Sequence, residues 1–165
     1  FKENRIIRKE VMHHKIKYLI LFLFVNFGGL GFGSWLMNNG PMTSWYQNLN
    51  KAPWTPPGWV FGAAWTTIMV CFSVYLVFLF TKNFSKKKLI LFIFQVLLNV
   101  SWNYIFFNQK LILFALVIIT LLTAVISYLF ITYYKEQKKV SFLLLPYMIW
   151  LCIATSLNLY ILIHN

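Results

Sequence analysis

The sequence predicts an all-α integral membrane protein, a bundle of five transmembrane helices with a long lid loop between the first and second. Three observations predict it. The first is composition: 60% of residues are hydrophobic and only 11% are charged, with mean hydropathy +0.69. A soluble domain carries about 25% charged residues, so this chain cannot coat its own surface with polar groups and its solvent must be lipid. The second is a set of five apolar runs, at residues 18–37, 59–80, 89–107, 111–134 and 140–163, none containing Lys, Arg, Asp or Glu. Each has about 20 residues, enough to cross a hydrocarbon core of roughly 30 Å. Residues 1–17 then form a basic N-terminal segment, residues 18–165 a single five-helix membrane domain, and residues 38–58 the lid.

The third observation is where the charge falls. Net charge is +12. Lys2, Arg5, Arg8, Lys9, Lys15 and Lys17 precede the first span. Lys82, Lys86, Lys87 and Lys88 join the second to the third, and Lys135, Lys138 and Lys139 join the fourth to the fifth. In a five-span chain all three segments share one side, and the other side keeps only Lys51 and Lys110. Basic loops stay cytoplasmic. The N-terminus is therefore expected inside, with the lid and the C-terminus outside, in a bacterial inner membrane. The charge marks topology and contact with anionic membrane lipid, not a nucleic-acid partner.

Each element has its own signature. The first span has a basic lead like a signal peptide, but its apolar core is too long and no Ala-x-Ala site follows. Because the chain begins at Phe1, an initiator Met or a longer N-terminus is expected to precede it. Gly28, Gly29, Gly31 and Gly33 suit close helix contact, and Gly29-x-x-x-Gly33 suits helix pairing. The loop that follows reads Trp45-Tyr46-x-x-Leu49-x-Lys51-x-Pro53-Trp54-x-Pro56-Pro57-Gly58. A polar linker would join two helices more simply. Prolines and indoles make instead a stiff amphipathic cover, with Pro53, Trp54, Pro56 and Pro57 as its frame.

The second span puts Gly58, Gly62, Trp65, Met69 and Phe72 on one face, and its glycines permit close backbone approach. The third carries Gln95, then Asn99, Trp102, Asn103 and Phe106 at i, i+3, i+4 and i+7, one stripe. The fifth carries Pro146 and Tyr147, then Trp150, Ala154 and Asn158 four apart. Amides in lipid must find partners. Trp65, Trp102 and Trp150 lie deeper than an interfacial belt requires. Three faces of indoles and amides beneath an aromatic cover read as a ligand pocket, with apolar walls and a few polar groups.

The chemistry left out narrows the function. The only acids are Glu3, Glu10 and Glu136, all outside the spans. Paired-carboxylate chemistry, a Ser–His–Asp triad and carboxylate proton relays therefore have no residues to use. Cys71 and Cys152 read as small apolar fillers in mid-span. His13, His14 and His164 lie at opposite ends and suggest no metal site.

The lid pattern, with Phe61 and Trp65 after it, resembles the tryptophan-rich sensory protein / translocator protein family, also called the peripheral benzodiazepine receptor family. The resemblance continues through Gln95-x-x-Leu98-Asn99-x-x-Trp102-x-x-x-Phe106-Phe107, then Leu145-Pro146-Tyr147-x-x-Trp150 and Ala154-x-x-Leu157-Asn158, covering roughly residues 18–163. It implies five membrane helices and commonly a homodimer. It also implies a pocket for porphyrins such as protoporphyrin IX or haem, bound as ligand and not as a required cofactor, and for isoquinoline and benzodiazepine compounds. Carried over by position, the pocket comprises Trp45, Tyr46, Trp65, Met69, Asn99, Trp102, Asn103, Phe106, Trp150, Ala154 and Asn158. Two departures stand out. Ile68-Met69 replaces the usual Leu-Tyr pair, and Tyr160 has no Lys or Arg after it to complete the animal members' cholesterol motif.

The expected function is a membrane receptor or sensor for tetrapyrroles. Indole faces stack on the macrocycle, and amides or Lys51 meet its carboxylates. The alternatives are translocation of porphyrin or a lipid-like molecule, and light- and oxygen-dependent porphyrin breakdown with Trp65 and Trp150 as the radical-forming candidates. A structural or assembly protein is the plainer reading.

Overall fold

The computed structural model describes the backbone of residues 2–165 and the side chains from residue 10 onward. The side chains of Lys2, Arg5, Arg8 and Lys9 thus lie outside the described residues. Helix α1 spans Lys2–Leu36, so the basic lead and the first apolar run form one helix. The lid holds a 3-10 turn at Gly40–Met42 and a short helix α2 at Ser44–Gln47. Then follow α3 (Gly58–Lys82), α4 (Lys86–Asn103), α5 (Ile112–Gln137) and α6 (Leu145–His164). No strand occurs among the described residues.

Four helical stretches are long and apolar enough to cross a membrane, and the last, Ile112–His164, has 53 residues. At 1.5 Å per residue that is about 80 Å of helix, more than two hydrocarbon cores. It reverses at Lys138, whose φ of 50° breaks the α conformation. After the turn, Phe142 packs on Phe130 and Tyr134, and Asn158 near the end of α6 reaches the start of α5. The stretch therefore supplies two antiparallel crossings, and the fold is a five-helix membrane bundle.

Local chemistry sets the other boundaries. Ser85 caps α4 by accepting from Lys88 N at 3.2 Å, and Pro146 opens α6 where its missing N–H costs nothing. The lid leaves α1 through Asn38 and Asn39, both left-handed, a conformation Asn adopts readily. The far end of α4 widens into a π turn at Tyr104–Asn108, so the third apolar run is not one regular helix.

Helix α3 is the most buried span. Its Phe72, Tyr75, Leu76 and Leu79 are sealed from all solvent. Outward-facing side chains such as Phe24, Ile20, Ile131 and Ile163 are apolar, as a bilayer requires. Among the glycines, Gly29 packs on Val96 and Val100 of α4, and a Cβ on Gly33 would sit 2.7 Å from Asn103 Nδ2. The Gly29-x-x-x-Gly33 motif thus seats α1 on α4 within one chain. Gly28, Gly31, Gly58 and Gly62 have nothing within 4 Å of a Cβ position. The close approach expected at Gly58 and Gly62 does not occur, because those glycines face away from the neighbouring helices. Cys152 is also exposed on the bundle's exterior and not a buried filler.

The basic end is held by an ion pair that the spans' apolar pattern conceals. Lys88, 3% exposed, pairs with Glu136 of α5 at 3.0 Å. It also donates to Leu79 O at 3.0 Å, to Asn83 O at 3.1 Å and to Asn83 Oδ1. One ammonium thereby meets an open carbonyl in the last turn of α3 and one at its cap, and ties α3, α4 and α5 together.

Candidate functional site: the aromatic layer beneath the lid

The lid is fastened at both edges. On the α6 side, Asn50 N donates to Asn165 Oδ1 at 2.9 Å and Asn50 Nδ2 donates to His164 O at 3.0 Å. Asn165 Nδ2 donates back to Asn50 O at 3.3 Å. Trp54 Nε1 donates to Ser156 Oγ at 3.2 Å, and its ring meets Tyr160 edge-on at 5.4 Å. On the other side Gly40 lies against Phe107 so closely that a Cβ would collide with that ring. Asn108 Nδ2 reaches Leu36 O at 3.3 Å. Between these fastenings Thr43 caps α2 through Tyr46 N, which turns Trp45 and Tyr46 toward the bundle.

Beneath α2 the rings form a layer. Trp45 and Tyr46 meet Phe106 at 5.8 and 6.3 Å, both edge-on, and Tyr46 meets Phe107 at 5.2 Å. Phe106 is 2% exposed and stacks on Trp102 at 5.1 Å, with planes 12° apart. Trp102 Nε1 donates to Asn158 Oδ1 at 3.1 Å, and Asn158 Nδ2 donates to Ile112 O at 3.1 Å. Asn158 therefore joins α4, α5 and α6 at one point. Burial pushes the Tyr46 phenol above the ordinary tyrosine range, so it stays a neutral hydrogen-bond donor at physiological pH.

A second layer lies deeper, between α3 and α6. Phe61 meets Trp150 at 5.1 Å and Trp65 meets Tyr147 at 5.9 Å, both edge-on. The pairing of earlier α3 residues with later α6 residues is that of antiparallel helices. Ala154, 7% exposed, lies on the same face of α6 one turn nearer the lid than Trp150. Below this layer, Gln95 Nε2 donates to Tyr147 OH at 2.8 Å and Asn26 Nδ2 donates to Ser73 Oγ at 2.8 Å. Met69, Asn99, Asn26 and Gln95 line a cavity of about 10 Å³ there, room for about one water molecule.

Most of the residues expected at the pocket thus lie in two stacked groups. Trp45, Tyr46, Trp102, Phe106 and Asn158 meet under the lid, and Trp65, Trp150 and Ala154 line the α3–α6 seam. Met69 and Asn99 lie deeper still, at the small cavity. Asn103 stands apart: its Nδ2 faces Gly33 of α1 and donates to Asn99 O at 3.5 Å. Of the lid tryptophans, Trp54 is 54% exposed, and the flanking Trp35 and Trp59 are 72% and 74% exposed. Those two stand at the ends of their spans, where tryptophan suits a membrane interface. Sequence reasoning passes over Asn26 and Ser73, although an amide inside the first apolar run is itself a signal that a partner waits opposite. The small cavity is far below the 300 Å³ and upward of small-molecule pockets, and the rings pack against one another. A flat ligand enters only if the lid lifts and the upper layer parts.

The layers offer indole and phenyl faces, two neutral phenols and a few amides. Such groups stack on and orient a flat molecule, and they include no carboxylate to move protons. The fold and site define a helical membrane bundle with a clasped Trp-Pro lid over aromatic layers. The chain belongs to the TspO/MBR family, whose model matches residues 21–164. It is similar to the tryptophan-rich protein TspO of Archaeoglobus fulgidus, 36% identical over 140 residues, 82% of this chain and 90% of that protein. It is 32% identical over 125 residues to the human translocator protein, 73% of this chain and 74% of the relative. It is 31% identical over 114 residues to the tryptophan-rich sensory protein of Cereibacter sphaeroides, 69% of this chain and 72% of the relative.

Proposed function

We propose that this protein is a membrane receptor for porphyrins of the protoporphyrin IX type, and for flat isoquinoline- or benzodiazepine-like compounds, held between the lid and the aromatic layers. The coarser statement, a membrane protein of the sensor and translocator kind, follows from the family. The finer one is carried by a single observation: Trp45 and Tyr46 point from the lid onto Phe106, which stacks on a Trp102 already oriented by Asn158. A ring system sliding between lid and layer replaces edge-on aromatic contacts by stacked ones, and such pairs contribute about 0.5–1.5 kcal/mol each beyond burial. In this reading the basic end faces the cytoplasm and the lid faces outward in a bacterial inner membrane, as basic loops dictate.

Binding is favoured over driven transport because the described charges of the bundle interior are the Lys88–Glu136 pair at the basic end, far from the aromatic layers. The test is a fluorescence titration of the protein in lipid nanodiscs with protoporphyrin IX. Saturable tryptophan quenching at micromolar ligand is expected, weakened about tenfold or more in Trp102→Leu. Quenching that only rises linearly with porphyrin, alike in parent and variant, would reject the reading.

A further inference from the structure

Two cations stand on the lid side of the bundle, and each lies over one of the two lid rings that face the aromatic layer. Lys51 Nζ is 4.8 Å from the Tyr46 ring centroid and donates to Gln47 O at 3.1 Å. Lys110 Nζ is 5.7 Å from the Trp45 centroid. Both distances are within the roughly 6 Å at which a ring face holds an ammonium. The two rings are neighbours, 6.5 Å apart, so the lysines flank one aromatic pair.

Their setting makes these charges unusual. The chain has three acids, Glu3, Glu10 and Glu136. Glu136 is bound to Lys88 at the opposite end, and Glu3 and Glu10 belong to the first half of α1, which starts at that end. No carboxylate among the described residues is paired with Lys51 or Lys110. Lys110 also takes φ 58°, a left-handed conformation that costs a lysine energy and suits Gly or Asn better. It occupies the turn where Leu111 N returns to Ile105 O at 3.0 Å. Gly or Asn would make that turn more easily but would place no ammonium over Trp45. Strain held beside a candidate site points to a role for the strained residue.

We propose that Lys51 and Lys110 form a two-cation clamp that selects ligands with a flat apolar body and carboxylates along one edge. The rings take the apolar body and the ammonium groups take the carboxylates. An ammonium has three donors, of which Lys51 spends one on Gln47 O and Lys110 none on any described residue. Each lysine can therefore exchange its ring for a carboxylate as the lid lifts. The clamp rests on the porphyrin reading and adds to it the residues that discriminate acid from neutral forms.

The test compares protoporphyrin IX with its dimethyl ester in nanodiscs of neutral phosphatidylcholine, for the parent, Lys51→Met, Lys110→Asn and the double variant. Met keeps an apolar stem on Tyr46, and Asn suits the left-handed turn, so both variants are expected to fold. The parent should prefer the diacid by roughly tenfold, each single variant should lose roughly threefold of that preference, and the double variant should bind both forms alike, at the scale of exposed ion pairs. Ester affinity should move less than about twofold throughout. Equal binding of diacid and ester by the parent, or a preference that survives in the double variant, overturns the clamp while leaving porphyrin binding intact. The second result is the one expected if the lysines serve lipid headgroups instead. Failure of the parent to bind either form overturns the underlying reading and the clamp with it.

Discussion

The Trp102 indole donates to Asn158 Oδ1 at 3.1 Å across the α4–α6 interface, and the same amide passes its own hydrogen on to Ile112 O. This one contact sets the plane of the ring on which Phe106 stacks, and so sets the floor of the layer that the lid covers. It uses both ends of a buried amide in a lipid-embedded bundle, where an unmet polar group is costly.

Asn158→Leu should therefore destabilise the protein by about 1–2 kcal/mol, the scale of interhelical hydrogen bonds in membranes. It should also weaken porphyrin binding, because the Trp102 plane is released. Thermal unfolding in nanodiscs and fluorescence titration read the two effects. A variant that melts lower yet binds as tightly as the parent would assign Asn158 to stability alone.

The lid clasp makes a kinetic prediction. Asn50→Ala removes the Asn50 side chain's bond to His164 O, and Trp54→Phe removes the bond to Ser156 while keeping a ring near Tyr160. Both should open the lid more often, raising backbone hydrogen exchange across residues 44–57 several-fold with little change over α5. Equal exchange in parent and variants would show that the lid is held elsewhere.

Gly40 tests the other edge. A Cβ there meets Phe107 at its own Cβ and ring, atoms that cannot swing aside as a long side chain's tip can. Gly40→Ala should cost about 1–3 kcal/mol by overpacking. Gly62→Ala, with nothing within 4 Å, should be neutral or slightly stabilising by helix propensity. Equal melting temperatures for the pair would contradict the close packing of lid on π turn.

The Lys88–Glu136 pair predicts an asymmetric double-mutant cycle. Glu136→Leu leaves a buried ammonium without its counter-charge and should cost about 3 kcal/mol. Lys88→Met together with Glu136→Leu should recover part of that loss, as buried pairs replaced by apolar groups often do. Unfolding measurements on the four proteins supply the cycle, and strict additivity would show that the pair is not coupled.

Tyr46 gives the pH dependence. Its phenol is raised by burial in the folded state, so folding favours the neutral form. That contribution is complete below the unfolded value of about 10 and is lost as pH rises from there through the folded value. Lid stability should accordingly be flat from about pH 7 to 9 with respect to this group and fall above about 10. The comparison is with Tyr46→Phe, whose alkaline fall should be shallower. Identical alkaline profiles would contradict the partial burial of the Tyr46 phenol.

Much of this was legible in the sequence, for reasons that particular residues make plain. Lipid as solvent demands long apolar runs, so the membrane bundle is readable from composition and run length. The convergence of Trp102 with Asn158 follows from stripes on the third and fifth spans once those spans are neighbours. Which neighbour each residue meets is harder. The stripe from Asn99 to Phe106 is wide enough to touch two helices, so Trp102 faces α6 while Asn103, about 100° further round, faces Gly33 of α1. The outward direction of Gly58 and Gly62 is likewise invisible to spacing, which defines a face but not what covers it. Lys88 sits at the edge of an apolar run and reads as one more topology charge. Only the fold brings Glu136 from the distant end of α5 to meet it.

Binding of a flat ligand between the lid and the aromatic layers should shield both from solvent. The most direct measurement is backbone hydrogen exchange in nanodiscs with and without saturating protoporphyrin IX. Protection should concentrate in residues 44–57 and 102–108, with the basic end at residues 79–92 and 133–141 unchanged. Protection centred instead on the shallow outer groove of about 310 Å³ lined by Leu36, Leu97, Val100, Ser101 and Tyr104, with the lid exchanging as in the free protein, would contradict it.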